Sequence, residues 1–139
     1  MNLFKYTEDP NHYYVNLGEK TSKVDNNFKL ILEKMKLYEF KQTIQIKGST
    51  YQMGDFYIKL GVLKRKMECL MVEIEYAPIF IVNQVELILK EFSEILFKDL
   101  VEYEFLGPKI SYDESLQKQS YSLLHTSVQY LSFFSKLSF

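Results

Sequence analysis

From Gln42 to Ala77 apolar and polar residues alternate with a period of two. "QTIQIKG", "YQMGDFYIKLGVL" and "ECLMVEIEYA" carry the alternation, and "KGST" and "KRKM" interrupt it. Short alternating runs broken by turn residues are the mark of half-buried strands. The pattern predicts a three-stranded antiparallel meander with one apolar face. If the second turn is centred near Lys66, Ile58 faces Ile74, Phe56 faces Tyr76 and Leu60 faces Val72 on the apolar side. The same register sets Lys59 opposite Glu73 and Tyr57 opposite Glu75 on the polar side. A first turn around Ser49 adds Ile44 and Ile46 to the apolar face, and Thr43, Gln45 and Lys47 to the polar one. A slip of one residue would invert a face, so agreement of parity across the strands constrains the register strongly.

Elsewhere the period becomes helical. "NNFKLILEKMKLYEF" brings Phe28, Ile31, Leu32, Met35 and Tyr38 to one side, with Asp25 or Asn26 placed to cap the first turn. "NQVELILKEFSEILFKDL" carries the stripe Val85, Leu89, Phe92 and Leu96, flanked by Ile88 and Ile95, and Asn83 with Glu86 has the spacing of a capping box. "VEYEFLGPKISY" reads as extended up to Gly107-Pro108. From about Ser115 a last helix shows two stripes, one of Leu124, Val128 and Leu131, the other of Leu123, Tyr130, Phe133, Phe134 and Leu137. A surface helix needs only one stripe, so this one is expected to touch two bodies. At the other end "NLFKY" and "HYYVNL" read as short strands around a "TEDPN" turn, and "GEKTSKVDN" as a polar loop.

Composition narrows the class. A chain of 139 residues, 47% hydrophobic and 16% aromatic, has material for one core, so a single domain over 1–139 is expected. A formal net charge of −1 gives no excess that would favour nucleic acid or a membrane surface. The one cysteine, Cys69, allows neither an intrachain disulfide nor a CxxC zinc site, and it suits a reducing, intracellular compartment. "MNLFKYTEDP" lacks the apolar core of a signal peptide, and no apolar run reaches the ~18 residues of a membrane span. A soluble intracellular domain is the expectation.

The candidate chemistry lies in two Glu-x-Glu pairs, Glu73 with Glu75 and Glu102 with Glu104. In tunnel-shaped triphosphatases such pairs bind metal inside a barrel, together with many Lys and Arg that hold the polyphosphate. In this chain the one arginine, Arg65, falls in a predicted turn, and Ala77 stands where those enzymes carry a lysine. Lys59 is predicted opposite Glu73, an ordinary cross-strand pair. The polar wall of a sheet is therefore the favoured reading, and metal-dependent triphosphate hydrolysis by the four glutamates is the alternative. His12 and His125 lack ligand-spaced companions, Cys69 lacks a histidine partner, Lys64-Arg65-Lys66 reads as a solvated turn, and no glycine-rich phosphate loop is present. No cofactor, metal or small-molecule substrate is expected. The aromatic C-terminal stripe is the other candidate: its side chains fill the protein's own core or meet a partner, because aromatic anchors dominate interfaces.

Three blocks carry a resemblance: Tyr51, Gln52, Asp55, Phe56, Lys59 and Gly61; then Val72, Glu73, Glu75, Tyr76 and Pro78; then Val128, Gln129, Tyr130 and Phe134. In order and spacing they resemble subunit 20 of the Mediator complex, and "NNFKLILEKMKLYEF" is similar to that family's preceding helix. The resemblance spans roughly residues 26–139. It implies an α+β fold: a strongly curved antiparallel sheet or β-barrel, akin to the triphosphatase tunnels but without their activity, with two or three flanking helices. It also implies a non-enzymatic subunit of the Mediator head, paired with Mediator subunit 18, near subunit 8, contacting RNA polymerase II indirectly, and located in the nucleus. Direct nucleic-acid and membrane contacts are not expected. The expected partner surface is Tyr130, Phe133, Phe134 and Leu137.

Overall fold

A computed structural model describes the whole chain except residues 19, 37, 40, 65–67, 80, 101–109, 111, 113 and 137–139. It has an α+β architecture with two separate three-stranded antiparallel sheets. The chain divides into two compact units, Met1–Glu39 with Glu104–Phe139, and Phe40–Tyr103.

The first unit holds β1 (Asn2–Tyr6), β2 (Asp9–Leu17) and β3 (Lys20–Asp25), in that order across the sheet, then α1 (Asn27–Met35). The turn between β1 and β2 is shorter than "TEDPN": Tyr6 already pairs with Asp9, so Pro10 and Asn11 are strand residues. Pro10 sits near the start of its strand, where a missing N–H is tolerated. The stretch expected to be a polar loop is β3. Its residues have little apolar content, and the strand exists because β2 offers it six paired positions from Leu17↔Lys20 to His12↔Asp25. Pairing with a neighbour overrides weak local propensity. Asn26 is the N-cap residue of α1 and makes no side-chain cap bond; Asp25, just before it, accepts the Asn27 N–H on Oδ1 at 2.7 Å.

The C-terminal segment is not one helix. It forms α3 (Glu114–Gln117) and, after a break, α4 (Leu123–Lys136), which packs on β1, β2 and β3. The core of this unit includes Tyr14, Val15, Leu32, Tyr112 and Leu116.

The second unit holds β4 (Lys47–Met53), β5 (Phe56–Lys64), β6 (Glu68–Tyr76) and α2 (Val82–Leu96). The predicted β5–β6 register holds at every predicted pair, from Phe56↔Tyr76 to Leu60↔Val72, with Lys59↔Glu73 and Tyr57↔Glu75 on the opposite face. The first turn, however, lies elsewhere. "KGST" is inside β4, and the chain reverses at Gly54-Asp55, joining Met53↔Phe56. Gly54 has φ +58°, a left-handed conformation that glycine adopts without steric cost. A two-residue reversal inside "YQMGDFYI" leaves the alternation almost undisturbed, so periodicity alone misses it.

The shift moves side chains between faces. Tyr51 is now opposite Ile58 and Met53 opposite Phe56, so both join the apolar side. Ile46 leaves it: its Cγ2 lies over Gly61, on the face of Tyr57 and Lys59. Gly48 is required by close approach, since a Cβ there would run into the carbonyl of Leu60 on the paired strand.

The helix α2 packs on β6. It begins at Val82, with Ile81 extended at the N-cap position and no side-chain cap. Asn83 is thus inside the first turn, not at the N-cap position that a capping box with Glu86 requires. Phe92 stacks on Phe56 with ring centroids 3.8 Å apart, and Val85 and Ser93 are buried. No helix among the described residues is long and apolar enough to cross a membrane.

Candidate functional site

The Glu-x-Glu pair of β6 is engaged locally. Lys59 Nζ donates to Glu73 Oε1 at 3.1 Å and lies 3.7 Å from Glu75 Oε2. One lysine serves two carboxylates two residues apart, because alternation places both on one face beside β5. The Lys59–Glu73 pair is half-buried, and cross-strand pairs of this kind contribute about 0.2–1 kcal/mol. Glu102 and Glu104 lie outside the described residues, as do Arg65 and Lys66. Among the described residues no group of three or more His, Cys, Asp or Glu could hold a metal ion.

The C-terminal helix is a different kind of site. Its most buried residues are polar: His125 and Ser127 are 0% exposed and Thr126 3%. Helical spacing of apolar residues could not reveal this face. Ser122 is the N-cap of α4, its carbonyl taking the His125 and Thr126 N–H groups at 2.9 and 3.2 Å. His125 stands three residues on and reaches back. Its Nδ1 accepts the Ser122 N–H at 3.1 Å. That assigns the proton to Nε2, which donates to the Leu116 carbonyl at 3.0 Å. The imidazole therefore does the work of the Glu or Gln of a capping box and ties α3 to α4.

Tyrosines extend the network. Tyr121 Oη donates to Gln129 Oε1 at 2.8 Å and meets Thr126 Oγ1 at 3.0 Å. Gln129 Nε2 donates to Tyr112 Oη at 2.9 Å, and Gln117 Nε2 to the Tyr112 carbonyl at 2.7 Å. Ser127 Oγ donates to the Leu123 carbonyl at 2.7 Å, so the bond at 2.9 Å to Tyr6 runs from the tyrosine hydroxyl. Burial pushes the Tyr112 phenol up, partly offset by the bond from Gln129. Gln129 and Tyr130, adjacent in "VQY", thus serve two internal contacts. Gln129 bridges two tyrosines, and the Tyr130 ring lies 6.0 Å from Tyr6 and 6.5 Å from Phe4.

Of the expected partner residues, Tyr130 packs on β1 of its own unit. Phe134 is edge-on to Tyr130 at 6.2 Å and to Phe133 at 5.5 Å. All three are half-buried, and Leu137 lies outside the described residues.

Beside Tyr6, at the start of β2, Asp9 gathers three partners. Its carboxylate takes Lys23 Nζ, His12 Nδ1 and Tyr14 Oη, each at 2.7 Å. The bond from Lys23, with those from His12 and Tyr14, holds the Asp9 carboxyl well below the usual carboxylate range. Asp9 in turn raises Lys23. A depressed folded-state value means the contribution is present above the ordinary value of 3.8 and fades as pH falls below it. Asp9→Asn is expected to lower the urea midpoint near neutral pH and to shrink the gap from wild type at about pH 3. An equal deficit at both pH values would refute this assignment.

Together these contacts define an α+β protein whose buried polar side chains are matched to one another within each unit. The chain belongs to the Mediator subunit 20 family: the family described as TATA-binding related factor of subunit 20 of the Mediator complex matches residues 1–135. It is also similar to "Mediator of RNA polymerase II transcription subunit 20b" of Arabidopsis thaliana, 26% identical over 140 residues. The similarity covers 94% of this chain and 64% of that relative, so the chain spans somewhat less than two thirds of the relative's length. The family match begins at residue 1, and so takes in the strands of the first sheet that the motif resemblance, starting near residue 26, did not reach.

Proposed function

We propose that the chain is a non-enzymatic structural subunit of Mediator, placed in the head module, paired with subunit 18 near subunit 8, and acting on RNA polymerase II transcription in the nucleus. The observation that carries this is the family match over residues 1–135, which runs through both compact units and supports their acting as one domain. The engagement of Lys59 with both Glu73 and Glu75 speaks for a structural role of that motif and gives the triphosphate-hydrolase alternative no support.

The partner surface is assigned to the distal half of α4. Tyr130 is the inner member, already against Phe4 and Tyr6, while Phe133 and Phe134 follow it toward the helix end and Leu137 continues the stripe in sequence. A barrel belongs to the same proposal. β4 is exposed along its whole length, and among the described residues its outer edge has no backbone partner. Such an edge invites another strand.

One experiment tests these points. Co-expressed with subunit 18, the chain is expected to elute from gel filtration as a stable complex, with β4 amides gaining protection from hydrogen exchange. Phe133→Ala with Phe134→Ala should weaken that complex by about 2 kcal/mol or more while leaving the isolated chain folded. Failure to form any complex would remove the subunit 18 pairing, and unchanged affinity of the double variant would move the interface off α4.

A further inference from the structure

We draw no further inference here: the strongest candidate, the exposed apolar strip of Leu30, Ile31 and Met35 on α1, carries nothing because no feature of the structure shows what covers it.

Discussion

His125→Ala is expected to destabilise the first unit by about 3–5 kcal/mol. The side chain is fully enclosed, so its removal leaves a cavity among Tyr112, Tyr121 and Leu116. It also strands the Ser122 N–H in that space, while the Leu116 carbonyl keeps its bond from the Gln119 N–H. A buried group left without its partner costs about 1–3 kcal/mol by itself. His125→Gln separates the two contributions. Glutamine at this position of a helix can still accept the N-cap N–H, so this variant should lose clearly less than alanine. Urea denaturation followed by near-ultraviolet circular dichroism reports it; the chain has 11 tyrosines and no tryptophan, and several of those tyrosines surround the site. Equal losses for alanine and glutamine would mean that the cap contributes nothing. A loss below about 1 kcal/mol for alanine would mean that the network reorganises around the gap.

In the second unit Phe92→Ala should cost about 3 kcal/mol. Phe92 is the ring of α2 that lies flat on Phe56, with an interplanar angle of 8°. Its loss should act on the docking of α2 more than on the sheet. The β5–β6 hairpin has nine consecutive paired positions and is expected to keep them when the helix loosens. Hydrogen exchange should therefore speed up along 82–96 while β5 and β6 amides stay protected. Phe92→Leu retains most of the apolar bulk and removes only the ring stacking, with an expected loss of about 1 kcal/mol. Uniform loss of protection across the unit in the alanine variant would show that sheet and helix fold as one cooperative body, contrary to this expectation.

What could be read without coordinates was the part set by parity and period. The β5–β6 register followed from two alternating runs with a turn between them, because one face of each had to be apolar and a slip would bury Lys59 or Glu73 in its place. α2 and its inward residues Val85 and Phe92 followed from helical spacing. The Glu-x-Glu motif was correctly set beside Lys59 for the same reason, and the order of motifs from Tyr51 to Phe134 was enough to suggest the family.

The rest depended on partners distant in sequence. β3 is polar and becomes a strand only through β2, and the reversal at Gly54-Asp55 is fixed by Lys47–Met53 pairing with Phe56–Val62, against the stronger-looking turn "KGST". Neither is a property of the local residues. The same holds at α4. His125, Thr126, Ser127 and Gln129 look like the outward face of a helix, yet they are turned inward, because Tyr6, Tyr112, Tyr121 and the Leu116 carbonyl supply the hydrogen bonds that make their burial tolerable. Apolar periodicity records where greasy side chains go. It is silent about polar ones whose partners lie up to 121 residues away, and those partners exist only once the chain has folded.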